Sequence, residues 1–285
     1  MKRIIFSIYI EIPDDRLDNP GSWDNEKGIQ YQSDKSKNTK SKFQLYKDRL
    51  ISVQREYAKK CDADYEVNTN QEEYEEFASW FHIKAPQISE YDIINFYKHH
   101  LMHKYAGDYN EVCYFDLDVI PLTDENIFEV FDLSKFHVGD SNAEAAWGRG
   151  VEIKYYNACI RNPATKYFNA QAMALHCDLE PLEDVFNTGV MIAKSHVIEQ
   201  LEYFSDDFMK DLEIMTFLKN DEQSMYPWNI RRSFNYDNET YFSHRMNVTE
   251  TPYEKLPEEW HWTRGGDTSN VKLCHVISKQ FENYL

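Results

Sequence analysis

Cysteine is scarce, and its pattern is uninformative for cross-linking. The five thiols, Cys61, Cys113, Cys159, Cys177 and Cys274, are odd in number, widely spaced and without a Cys-x-x-Cys pair. That excludes a zinc-ribbon arrangement and leaves no basis for a disulfide framework, which fits a reducing compartment. An excess of positive charge is also missing. Lys and Arg total 31 against 49 Asp and Glu, a formal charge of −18. Such a balance argues against a nucleic-acid backbone or an anionic membrane as the main partner, so any phosphate must be held locally. Nor is there a long apolar run. Residues 4–12 are interrupted by Ser7 and Glu11, and nothing reaches the roughly 18 apolar residues of a membrane span. The chain is expected to be soluble and cytoplasmic, with no signal peptide, anchor or transmembrane segment. Nothing in the sequence sets its oligomeric state.

What is present is an orderly alternation of apolar segments along 285 residues. Residues 3–12 read as a strand, and the polar stretch 13–42 as a mobile loop able to close over a ligand. Residues 43–60 carry apolar positions at helical spacing, 64–68 read as a second strand, and 91–105 as a helix ending at Gly107. Residues 112–115 then form a short buried strand. This β-α-β-α-β half predicts an α/β fold with a mostly parallel central sheet and right-handed crossovers, in a single domain. Residues 1–122 would be the nucleotide-binding half and 123–285 the acceptor and donor-sugar half. In the latter, 143–181 is mixed, with helical character at 167–176. Residues 185–193 read as a strand interrupted by Asn187, Thr188 and Gly189, and 198–218 as one amphipathic helix. The strand-like run 271–277 contains His275.

The chemistry is concentrated at Tyr114-Phe115-Asp116-Leu117-Asp118. Two carboxylates two residues apart at a strand's carboxyl end both reach the crevice where open α/β sheets bind ligands. Their oxygens suit a hard divalent cation bridging phosphates. An isolated Asp-x-Asp is equally an ordinary solvated turn. His275 in its apolar run reads as a core imidazole or a ligand, and Gly189 as a bulge or a close backbone approach. Trp260 and Trp262, which flank His261, serve either as core or as a wall for an apolar sugar face.

The order of these pieces resembles the GT-A nucleotide-sugar glycosyltransferases, in particular the glycogenin-like and α-galactosyl- or xylosyltransferase-like retaining families. The likeness rests on the first strand, the 114–118 motif, Phe-Asn-Thr-Gly-Val-Met at 186–191, Asn-Asp-Glu-Gln at 220–223 and the late His275. It implies a glycosyltransferase that moves a sugar from a nucleotide sugar, a UDP-sugar, to a glycan or other hydroxyl acceptor with retention. It also implies a metal cofactor, Mn²⁺ or Mg²⁺, held by Asp116, Asp118 and His275. Ser7, Ile8 and Tyr9 would hold the base, and Asp116 would also touch the ribose. Asn187 and Gly189 would border the donor sugar, and Lys279 would contact the diphosphate. Asp221 and Gln223 would lie at the anomeric carbon and acceptor. Two alternatives stand beside it. Phe115 to Asp118 also looks like the nucleophile loop of a haloacid-dehalogenase-type phosphatase, although Val119-Ile120 replaces the usual Gly-Thr and the motif lies beyond the first strand. The many aromatics would also serve a non-catalytic carbohydrate-binding module.

Overall fold

The computed structural model describes residues 1–17, 26–140, 163–184, 186–231, 234–263 and 266–285. β1 (Arg3–Ile8) lies one strand in from the sheet edge, and its inner four residues are all buried. This is the pattern of a strand covered on both faces, where an unbroken apolar run replaces alternation. β3 (Glu111–Phe115) is buried along its whole length, whereas β2 (Asp64–Asn68) alternates, as an edge strand does. Among the described residues the main sheet has six strands in the order β2-β1-β3-β6-β5-β7. β1 pairs in parallel with β2 and β3. β6 (Phe186–Lys194) runs antiparallel between β3 and β5 (Phe136–Asp140), and β7 (Tyr253–Lys255) lies parallel to β5. Parallel pairings therefore predominate, and β6 is the strand that breaks the pattern.

The parallel part is built by crossovers. α1 (Asp14–Leu17) and α2 (Glu26–Lys60) join β1 to β2. α3 (Gln71–Lys84) and α4 (Glu90–Ala106) join β2 to β3. Asn70 and Ser89 cap α3 and α4 by accepting hydrogen bonds from the backbone N–H groups of Glu73 and Asp92, which satisfies otherwise orphaned donors. Helical structure over residues 26–42 corrects the expectation of a loop across 13–42. Among the side chains described from residue 37 onward, Lys37, Asn38 and Ser41 are exposed.

After β3 the chain makes β4 (Val119–Pro121), α5 (Ile127–Val130) and β5. α6 (Pro163–His176) contains the helical stretch expected at 167–176; the mixed segment 143–162 lies outside the described residues. The single helix expected over 198–218 is two pieces, α7 (Ser195–Glu199) and α8 (Asp206–Asn220). Between them Glu202 and Phe204 take left-handed backbone angles, φ 48° and 63°, and Ser205 caps the second piece. α9 (Trp228–Arg231) and α10 (Asn238–Val248) follow. β8 (Leu273–His275) then pairs antiparallel with β4 in a separate two-stranded ladder. Trp260 is buried in the core beside Phe131, with ring centroids 5.3 Å apart. No described helix is long and apolar enough to cross a membrane.

Candidate functional site

The site forms where the main sheet meets the β4–β8 ladder. Asp116 and Asp118 leave the carboxyl end of β3, and the Asp116 N–H donates to Gly189 O at 2.7 Å, tying the turn to β6. The ladder register sets His275 opposite Val119, and the Val276 N–H donates to Asp118 O at 2.9 Å. As a result the His275 Nε2 atom lies 3.5 Å from an oxygen of each carboxylate. Ligand atoms from Asp116, Asp118 and His275 all fall within 4.8 Å of one another. Two carboxylates and one imidazole are a donor set suited to Mn²⁺ or Mg²⁺. Lys279, 161 positions after Asp118, ion-pairs with it. Burial by itself would raise the Asp118 carboxyl, but Lys279 and His275 outweigh burial and hold it well below the usual carboxylate range. On Lys279 burial pulls downward, Asp118 overcomes it, and the ammonium is raised.

Asp116 is oriented from its other side. Tyr114 donates its hydroxyl to Asp116 Oδ1 at 2.5 Å, and Lys98 donates its ammonium to the same oxygen at 3.1 Å. Lys98 projects from α4 and is buried, also reaching Thr188 Oγ1 at 3.2 Å. Asn238 donates its amide to Thr188 Oγ1 at 2.7 Å, and the Thr188 N–H donates to Glu239 Oε1 at 3.2 Å. Glu239 is in turn paired with Lys166. A continuous polar network therefore runs from the carboxylate pair through Lys98 and Thr188 to the first turn of α10. Sequence reasoning missed Lys98, Asn238 and Glu239. Lys98 left a signal, since it falls in the apolar stripe of α4, four residues after Ile94 and three before Leu101. A cation on that stripe requires a buried partner. Asn238 and Glu239 gave none.

Two imidazoles pack behind the carboxylates, and two glycines make room for them. A Cβ at Gly189 would overlap the His275 ring, and one at Gly139 would come within 2.7 Å of the His261 ring. Gly139 sits at a register shift between β5 and β6. The interruption expected at 187–189 is both a break in register, with residues 188–190 of β6 unmatched on β5, and a close approach to a side chain that belongs to the site. His261 is buried. Its Nε2 lies 3.1 Å from His275 Nδ1 and 3.1 Å from Asn187 Oδ1, which accepts the Gly189 N–H at 2.9 Å. Burial first, then His275, push the His261 pKa well down, so it is a neutral ring.

The remaining predicted residues are placed less centrally. Ser7 is fully buried, its Oγ 2.6 Å from Gln54 Oε1 and 2.8 Å from Phe115 O, so its hydroxyl ties β1 to β3. Ile8 and Tyr9 are half-buried at the carboxyl end of β1, with Lys47 4.4 Å over the Tyr9 ring. Asp221 and Gln223 occupy an exposed turn after α8. There the Gln223 N–H donates to Asp221 Oδ1 and Arg231 donates to Asp221 O. Neither has a described hydrogen bond or ion pair to the cluster.

No family model matches the chain, and neither does any curated protein. Among solved structures, it is similar to a glycosyltransferase involved in the glycosylation of the major capsid of PBCV-1. That likeness has 13% identity and a TM-score of 0.43 and covers 97% of this chain and 95% of that one. It is also similar to the apo form of mouse xyloside xylosyltransferase 1, at 9% identity and a TM-score of 0.44, covering 96% and 97%. A third likeness is to the bifunctional glycosyltransferase WbbM, at 9% identity and a TM-score of 0.40, covering 97% of this chain and 45% of that one. Likeness at this level leaves the chemistry to be read from the residues.

Proposed function

We propose that the protein is a metal-dependent GT-A glycosyltransferase that moves a sugar from a UDP-sugar to a hydroxyl of a glycan or other acceptor, with retention. One observation carries this reading: Asp116, Asp118 and His275 converge within 4.8 Å at the carboxyl end of β3, with Lys279 beside them. A divalent cation held there would offset the charge that develops on a leaving diphosphate. An acidic chain needs such a device to receive an anionic nucleotide.

The chain's own residues divide the work. Tyr114 and Lys98 lock the Asp116 carboxylate in one orientation. Lys279 brings positive charge to the phosphate side of Asp118. Ile8 and Tyr9 supply an edge for the base, and Asn187 and Gly189 line the sugar side. For the anomeric and acceptor side, Asp221 and Gln223 are candidates from the resemblance. Asn238 and Glu239 are candidates from the network that joins them to Thr188 and Lys98. Retention rests on the resemblance.

The test is hydrolysis and transfer with a panel of UDP-sugars in Mn²⁺, with proton NMR of the product's anomeric centre. The reading expects turnover of at least one donor, its loss in chelator, and retained configuration. It is wrong if no donor turns over in metal. Comparing Asp221→Ala with Glu239→Gln then assigns the acceptor side: the variant whose kcat falls with donor affinity intact marks the residue that acts there.

A further inference from the structure

Lys279 reaches Asp118 from a turn that is unfavourable in itself. Its backbone takes a left-handed angle, φ 58°, a conformation disfavoured for any residue with a Cβ. Two short-range bonds close the turn: the Ile277 N–H donates to His275 O and the Lys279 N–H to Val276 O, both at 2.9 Å. A further anchor lies two residues on. Phe281 is fully buried between Phe43 and Tyr46 of α2, with ring centroids 5.8 Å and 5.5 Å away. Phe43 also faces the Lys279 ammonium, which lies 5.3 Å from its ring centroid. One apolar cluster joins Phe281 to Leu50 of α2, to Val276 and to Leu117, the residue between the two carboxylates. Charged contacts flank the ring: Lys42 lies 3.4 Å from Glu282, and Arg49 donates to Leu285 O. α2 is thus a wall on which residues 276–285 are seated, and Lys279 projects from the seated segment back to Asp118.

We propose that Phe281 is a positioning residue: its ring, clamped by Phe43 and Tyr46, fixes the turn from which Lys279 presents its ammonium to the diphosphate. This role rests on the reading of Lys279 as the phosphate-side cation, and it brings α2 into the donor site through an apolar contact. A lysine stem has many rotamers, so an ammonium meets a phosphate reliably only when its backbone is held in place. With the clamp gone, the turn is free to leave its left-handed conformation, and the ammonium leaves the phosphate side with it.

The test is a double-mutant cycle on the full chain, read by calorimetric titration with UDP in Mn²⁺. Lys279→Ala alone is expected to weaken UDP by ~10–100-fold, the worth of a hydrogen bond to a charged group. Phe281→Ala should cost about tenfold while Lys279 is present and less than about twofold when combined with Lys279→Ala, because a residue that acts through another then has nothing left to position. Phe281→Leu, which refills the slot between Phe43 and Tyr46, should recover most of the affinity. If Phe281→Ala does not fold, Phe43→Leu runs the same cycle with the same expectation. Equal losses in the two backgrounds, or no loss in either, overturn the proposal and leave the role of Lys279 standing. Unchanged affinity in Lys279→Ala overturns that role and the proposal with it, and wild type that does not bind UDP in Mn²⁺ overturns the functional reading itself.

Discussion

A carboxylate as buried as Asp118 stays ionised only because Lys279 and His275 face it. Kept ionised, it is poised for a cation. Asp118→Asn keeps the shape and removes the charge, so we expect it to abolish cation-dependent UDP binding while the protein remains folded. Unchanged nucleotide affinity by calorimetry would sink the metal assignment. Gly189→Ala is a sharper probe, because the added methyl enters the space of the His275 ring. Mn²⁺ affinity should fall about tenfold or more, and a wild-type value would show that His275 does not hold the cation. The carboxylates were legible in the sequence because Asp-x-Asp after an apolar strand is a local signal. His261 was not, because its meaning comes from Asn187 and His275, 74 and 14 positions away.

At the scale of elements, β4 and β8 are only three residues each, yet their register decides whether His275 reaches the carboxylates. Strands so short carry almost no periodic signal, which is why β8 was anticipated as a longer run and β4 was not anticipated. The direction of β6 was equally hidden, since apolar periodicity marks a strand and not the sense of its pairing. α10 is held by a buried ion pair: Arg245 donates to Leu201 O at 2.9 Å and to Asp211 at 3.2 Å. Arg245→Met would leave His244, 3.3 Å away, as the remaining ion-pair neighbour of the buried Asp211 carboxylate, and should cost about 3 kcal/mol in urea unfolding, a loss that Asp211→Leu in the same chain partly restores. A cost under about 1 kcal/mol would mean the pair is solvated.

α4 contributes to the expected acid sensitivity. His99 is buried against Tyr203, with centroids 4.7 Å apart and planes 2° from parallel. Burial, then Lys98, push its pKa well down. The unfolded chain takes up a proton near pH ~6.5 where the folded chain does not. Its stabilising contribution is therefore fully present above that pH and is lost on acidification, by up to ~1.4 kcal/mol per pH unit. The Tm measured from pH 7 to 5 should fall, and His99→Gln should flatten the slope. An unaltered slope in that variant would assign the acid sensitivity to other groups.

For the whole molecule, the order of the parallel β-α-β-α-β half was legible because β1 and β3 are continuous apolar runs and residues 43–60 and 91–105 carry apolar positions at helical spacing, whereas the helical start at 26–42 and α3 were not anticipated. The second half was legible only in part: β6, α6 and α8 were anticipated, but β4, β5 and β7 were not, because they are short and the contacts that order them are distant in sequence. The charge balance points the same way as the site. A chain of net charge −18 has no general attraction for a nucleoside diphosphate, so the proposed affinity would have to come from a held cation, and among the described residues Asp116, Asp118 and His275 form the one cluster suited to it. Calorimetric titration with UDP, first in Mn²⁺ and then in excess chelator, tests this most directly. The account predicts tight binding in Mn²⁺ that disappears in chelator; equal affinity in both conditions, or no binding in either, would contradict it.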